Sequence, residues 1–124
     1  MNKKDMLEKK VWAVLGVTPN ESKFGYKIYK KLKDHDYKVY PINPKYDEIN
    51  GEKCYESIEE LPETPDVLDF VVPPQVSLSA LDEVNKKGIK NVWFQPGTSD
   101  KNVIEKAKEN NLNIVEDCVL VALS

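Results

Sequence analysis

Four or five short apolar runs recur along the chain at near-regular intervals, and between them apolar residues return at the three- and four-residue spacing of a helix face. The alternation predicts parallel strands joined by helical crossovers. Residues 11–17 form the first strand, apolar almost throughout, as suits a central strand covered on both faces. Residues 22–34 form the first helix, with Ile28, Tyr29 and Leu32 on one side and lysines toward water. Residues 38–43 form the second strand, stopped by Pro44, and the Ser57-Ile-Glu-Glu60 capping-box pattern places a short helix before Pro62. Residues 67–72 form the third strand, ended by Pro73 and Pro74. A helix over residues 76–87 follows, with Leu78, Leu81 and Val84 inward and Gly88 as its stop. Residues 91–95 form the fourth strand, closed by Pro96 and Gly97. Ser99 is the predicted N-cap of a helix running to Asn110, with Val103, Ile104 and Ala107 inward, and residues 113–116 form the fifth strand.

The predicted architecture is α/β: a Rossmann-like, doubly wound, mainly parallel five-stranded sheet with helices on both faces, in one domain over residues 1–124. Right-handed crossovers favour the strand order 3-2-1-4-5, which sets the ligand crevice beyond the carboxyl ends of strands 1 and 4. Those ends carry the residues that look least like core: Gly16-Val17-Thr18, Asn43-Pro44-Lys45, Val72-Pro73-Pro74 and Gln95-Pro96-Gly97. One such turn is ordinary punctuation, whereas four at one sheet edge make a site.

The first of these turns runs from strand into helix, and a helix N-terminus with unpaired N–H groups favours phosphate. It departs from the dinucleotide fingerprint G-x-G-x-x-G, because Gly16 is followed by Val17, Thr18 and Pro19 and the next glycine is Gly25. The departure counts against NAD more than against phosphate in general, and a tight turn without a ligand is the competing reading.

Composition narrows the choice. The net charge of -3 gathers no nucleic acid, and all 18 cationic side chains are lysine. Without arginine forks, a phosphate must be held by backbone N–H groups, hydroxyls and lysine point charges. Cys54 and Cys118 lie far apart in no metal-ligand or disulfide pattern, so they read as reduced thiols. The first residues form no signal peptide and no apolar run approaches the roughly 18 residues of a membrane span, so the expected location is cytoplasmic, with no membrane contact.

The end of the second strand discriminates between nucleotides. NAD-binding domains place an acid there for the ribose hydroxyls, whereas this chain has Asn43, with Lys45 two residues on. A lysine at that place suits a phosphorylated ribose, as in coenzyme A or NADP; a solvated surface lysine is the alternative.

Together these residues resemble the small stand-alone CoA-binding domain family, relatives of the N-terminal domain of succinyl-CoA synthetase α subunits and of ADP-forming acyl-CoA synthetases. The resemblance rests on Gly16-Val-Thr-Pro-Asn20, Lys23-Phe-Gly25-Tyr, residues 39–45, residues 51–55, Asp66-Val-Leu-Asp69, residues 92–97 and Cys118, and it spans nearly the whole chain. It implies coenzyme A or an acyl-CoA bound across the carboxyl edge of the sheet. Gly16, Val17 and Thr18 would meet the pyrophosphate, with Lys23 and Gly25 close by. Asn43 and Lys45 would address the phosphorylated ribose, Val72 and Pro73 would flank the adenine, and Gln95 and Gly97 would line the pantetheine path. Thr18 stands where many relatives have serine, and Val71-Val-Pro-Pro74 where many have charged residues.

No catalytic constellation emerges. The sole histidine, His35, falls between a helix end and a strand, opposite the crevice, and neither cysteine has a recognisable histidine partner. Asp69, Glu116 and Asp117 form no recognisable acid–base pair. The leading expectation is therefore non-catalytic CoA binding. The alternatives are an NAD(P)-binding redox sensor and the CoA-binding subunit of a split acyl-CoA ligase. The expected partner is a small CoA-type ligand, with a homodimer or another protein as the choices at the protein level.

Overall fold

The computed structural model describes residues 2–124 and consists of α1 (Lys3–Leu7), β1 (Val11–Leu15), α2 (Phe24–Asp34), β2 (Lys38–Ile42), β3 (Glu48–Ile49), β4 (Glu52–Lys53), β5 (Val67–Phe70), α3 (Pro74–Lys87), β6 (Asn91–Phe94), α4 (Lys101–Glu109), β7 (Asn113–Glu116) and α5 (Val119–Ala122). Five strands form one parallel sheet in the order β2-β1-β5-β6-β7, and β3 and β4 form a separate antiparallel hairpin. Two apolar layers enclose the sheet. One joins Trp12, Val14, Val67 and Trp93 to Ile28, Tyr29 and Leu32 of α2 and Val119 of α5. The other joins Leu68, Phe70, Val92 and Phe94 to Leu81 and Val84 of α3 and Val103 and Ala107 of α4. The α/β class, the parallel sheet and the helices on both faces agree with the pattern along the chain.

The predicted strand order does not. Numbered along the chain, the five parallel strands run 2-1-3-4-5 rather than 3-2-1-4-5, because the third strand, β5, pairs with β1 instead of lying outside the second. Two features select this arrangement. All four residues of β5 are buried, as suits an interior strand covered on both faces. In β2, Lys38 is exposed and Pro41 lacks an N–H, which suits the edge of a sheet. Asp66 then clips β5 to β1: its N–H donates to the Val11 carbonyl at 2.7 Å and its carboxylate accepts from the Val11 N–H at 3.1 Å. The winding therefore reverses between β1 and β5, and the crevice opens beyond the ends of strands 1 and 3 rather than 1 and 4.

Local departures are smaller. The first strand ends at Leu15, where Gly16 turns the chain at φ 107°. The capping-box pattern at Ser57 makes a turn, not a helix, since the Glu60 N–H donates to the Ser57 carbonyl and Pro62 stops propagation. Asp100, not Ser99, caps α4, accepting from the Val103 N–H at 2.9 Å. The short α1, α5 and the β3–β4 hairpin carry too few residues for a periodic signal. The hairpin docks on α2 through Glu52, which accepts from the Tyr29 hydroxyl and pairs with Lys33.

Candidate functional site

Beyond the carboxyl ends of β1, β2, β5 and β6 lies a cleft of about 530 Å³. Its floor is backbone, held open by two glycines. A Cβ on Gly16 would lie 2.3 Å from the Val71 carbonyl oxygen, and one on Gly25 would lie 2.2 Å from the Gly16 carbonyl oxygen. Real Cβ atoms do not approach this closely, so α2 can press its first turn onto the β1 loop only with glycine at position 25, and that loop can lie against the end of β5 only with glycine at position 16. The result brings α2's first N–H groups to the cleft.

No side chain caps α2. Its N-cap, Lys23, supplies no acceptor, which leaves the first-turn amides facing the cleft with the positive end of the helix dipole. Lys23 and Lys45 line the same cleft, neither has an acidic partner among the described residues, and no lining residue is acidic. In a chain of net charge -3, this is a locally positive concavity. Thr18 adds a hydroxyl, accepting from the Asn20 N–H at 3.2 Å and lying 3.5 Å from the Tyr46 hydroxyl.

The opposite wall is apolar: Val71, Val72, Pro73, Pro74 and Pro96. Pro73 and Pro74 begin α3, so this helix also lacks a side-chain cap, but Pro74 carries no N–H. It offers a ring surface, not an anion site. The cleft thus sets amides and lysines against an apolar face, suited to a ligand with phosphates and a heterocycle.

Nine of the eleven residues singled out in the sequence, Gly16, Thr18, Lys23, Gly25, Asn43, Lys45, Val72, Pro73 and Gly97, come together around this cleft. Val17 does not: its side chain is fully buried in the core beneath α2, and only its carbonyl faces the loops. Gln95 is 4% exposed and lies below the cleft, its Nε2 donating to Asp69 Oδ1 at 2.7 Å and its Oε1 accepting from the Val119 N–H at 3.1 Å. Asn43 lines the cleft, but its amide is occupied in tying the loops together. Its Nδ2 donates to the Val17 carbonyl at 2.9 Å and its Oδ1 accepts from the Lys45 N–H at 2.9 Å. Sequence reasoning missed Phe24, Tyr46, Val71 and Thr98, and it placed Pro74 and Pro96 at this edge without giving them a contact; all are neighbours of residues it chose.

The other candidate groups stand apart. His35 is the exposed C-cap of α2, at the far end of that helix. Burial raises the Cys54 thiol above its ordinary value. Burial also holds the Asp69 carboxyl well above the usual carboxylate range, against the opposing hydrogen bond from Gln95.

Comparison with known proteins shows the family. The ADP-forming acetate–CoA ligase of Methanocaldococcus jannaschii is 41% identical over 111 residues, covering 83% of this chain but 16% of that protein. The α subunit of the ADP-forming acetate–CoA ligase II of Pyrococcus furiosus is 38% identical over 81 residues, covering 64% of this chain and 18% of the subunit. The chain therefore spans about a sixth of the length of the curated ligases it matches. A hypothetical protein from Pyrococcus horikoshii superposes with a TM-score of 0.90 at 34% identity, covering 98% of this chain and 89% of that one. Residues 10–124 match the family model described as the CoA binding domain, and the chain belongs to that family.

Proposed function

We propose that this chain binds coenzyme A, or an acyl-CoA, in the cleft beyond β1, β2, β5 and β6, and that the cleft itself carries out no group transfer. The observation that carries this reading is the uncapped N-terminus of α2, brought against the β1 loop by Gly25 and flanked by Lys23 and Lys45 with no acid in the lining. In this arrangement the first amides of α2, with Gly16 and Thr18, hold the pyrophosphate. Lys23 adds a point charge. Lys45, on the β2 loop, meets the phosphate on the ribose, and Asn43 fixes that loop rather than touching the sugar. The adenine lies on Val72 and Pro73, and the pantetheine arm passes Gly97. The cleft lining supplies hydroxyls and lysines but no histidine, cysteine or carboxylate.

The end of β2 opposes the NAD reading. No carboxylate stands there for ribose hydroxyls, and the amide of Asn43 is engaged with backbone. The extent of the likeness to the ligases makes a second role reasonable, in which this domain presents CoA to a ligase whose chemistry resides on a separate chain or segment.

Calorimetric titration with CoA, dephospho-CoA, NADPH and NADH tests the reading. CoA is expected to bind tightest. Lys45→Ala should remove most of the advantage of CoA over dephospho-CoA, roughly fivefold for an exposed charge pair of about 1 kcal/mol. Tighter binding of NADPH or NADH would overturn the assignment.

A further inference from the structure

Charge is segregated along the chain and across the sheet. Residues 1–53, through the end of β4, hold 12 lysines against 8 acids, whereas residues 54–124 hold 6 against 13. The first segment builds β2, β1, α2 and the hairpin, and the second builds β5, β6, β7, α3 and α4. The cleft lies over the seam between β1 and β5, with a positive flank on the α2 side and a negative flank beyond the apolar wall. Within the positive flank, Lys23, Lys27 and Lys31 recur every four residues and share one face of α2. Among the described residues none of the three has an acid within ion-pair distance, although Lys30 and Lys33 of the same helix pair with Asp34 and Glu52. Lys27 Nζ stands 5.9 Å from the centroid of the Phe24 ring, and Phe24 lines the cleft, whereas Lys27 and Lys31 do not. Cations at this spacing repel one another, those at the start of the helix oppose the positive end of its dipole, and the first turn holds no acid to offset them.

We infer that Lys27 and Lys31 draw the phosphorylated end of the ligand out of solution and onto the first turn of α2, setting the association rate without touching the bound ligand. The inference rests on the proposed CoA reading and adds how that site is loaded. Distance and charge support it. At a rise of about 1.5 Å per residue, Lys27 and Lys31 stand roughly 6 and 12 Å along the helix from Lys23. Those spacings lie at or within the Debye length of about 10 Å at 0.1 M salt and well beyond the roughly 3 Å at 1 M. The three lysines therefore act as one field in moderate salt and as separate, screened charges in concentrated salt. The acid-rich flank repels the same phosphates, so the field across the cleft turns the charged end of the ligand toward α2 before contact. A row of cations that weakens its own helix is explained when it faces an incoming anion.

Surface plasmon resonance with the whole chain immobilised and CoA in the flow gives both rates. In about 0.1 M salt, the double variant Lys27→Glu, Lys31→Glu should lower the association rate at least fivefold and leave the dissociation rate within about twofold, so that Kd rises by the factor lost in association. The milder pair Lys27→Gln, Lys31→Gln should lower it by a smaller factor in the same direction. In about 1 M salt the parent and both variants should associate at equal rates. Lys90→Glu with Lys108→Glu makes the same change in net charge at exposed positions before β6 and in the last turn of α4, away from the cleft, and should leave the association rate within about twofold of the parent. An unchanged association rate in the Lys27 and Lys31 variants overturns the inference. So does a change confined to dissociation, which would mean that these lysines touch the bound ligand, and so does an equal fall in the Lys90 and Lys108 variant, which would mean that net charge alone matters. In each of those cases CoA still binds and its reading stands. If the parent binds no CoA, the CoA reading fails and takes the inference with it.

Discussion

The two halves of the sheet's carboxyl edge use the same strand–turn–helix unit and end in opposite chemistry. After β1, the chain enters α2 through a lysine N-cap, and the first amides are left without a side-chain acceptor. After β6, it enters α4 through Asp100, whose carboxylate accepts from the Val103 N–H at 2.9 Å. The surroundings follow suit. Lys23 and Lys45 border the open half. In the closed half Ser99 donates to Glu116, and Asp117 accepts from the Cys118 N–H and pairs with Lys3 at 2.9 Å. A helix N-terminus is an anion site only where the protein does not supply the anion itself.

The largest break in this comparison comes from the glycines. Gly25→Ala places a methyl carbon 2.2 Å from the Gly16 carbonyl oxygen, backbone against backbone, with no flexible side chain to yield. The first turn of α2 must lift from the β1 loop. Overpacking of this kind costs about 1–3 kcal/mol and here displaces the binding amides as well. Denaturant midpoints should fall, and CoA should show no calorimetric signal at concentrations that saturate the parent. Retained affinity would show that the close approach does not build the site.

Asp69 tests what supports the closed half. It faces the layer containing Trp93 and Val119, fully buried, and holds Gln95, which in turn accepts from the first amide of α5. Its second oxygen, Oδ2, has no partner. Burial raises its folded-state pKa above the ordinary 3.8, so the native protein holds this proton more tightly than the unfolded chain. The contribution of this group to stability is therefore greatest below that value, declines as pH rises toward the folded-state pKa, and then levels off. Each pH unit of that window corresponds to about 1.4 kcal/mol. Asp69→Asn keeps the shape and an acceptor for Gln95, and should raise stability at neutral pH while flattening its decline above pH 4 in denaturant titrations. An unchanged slope would exclude Asp69 as its source.

Charge at the helix start gives the third test. Lys23→Asp copies the cap of α4 onto α2, at a residue whose backbone is already extended at φ -94° and ψ 151°. Helix stability should rise by about 0.5–1 kcal/mol, while a carboxylate in place of a cation should weaken CoA tenfold or more. A variant both more stable and equally tight would place the phosphates elsewhere.

The difference between these halves was largely legible in the sequence because it resides in residue types at turns. Gly16, Thr18, Lys23, Gly25 and Lys45 are polar or conformational exceptions at apolar strand ends, and all five line the cleft. Val17 and Gln95 occupy similar places in the chain but point into the layer beneath, a distinction that depends on where the extended run stops. The strand order was misread because crossover rules do not say on which side of β1 the chain returns. The Asp66 clip and the full burial of β5 decide that through contacts distant in sequence. Phe24 and Cys118 were legible as parts of the family resemblance but not as neighbours. The cavity joining them depends on how α2 and α5 lie against the sheet.

The smallest expected effect isolates the closed half. Asp100→Ala removes the side-chain acceptor at the start of α4 and returns one N–H, that of Val103, to an unsatisfied state. Loss of such a cap costs about 1 kcal/mol, enough to lower the melting temperature of a domain this size by several degrees. Asp100 does not line the cleft, and the glycines and lysines of the open half are untouched. CoA affinity should therefore match the parent within error after the thermal shift is accounted for. Stability lost without affinity, set beside affinity lost without stability at Lys23→Asp, would separate the two helix starts as cap and binding site. An affinity loss at Asp100→Ala would instead mean that the β6 turn, with Pro96 and Gly97, is positioned from the α4 side.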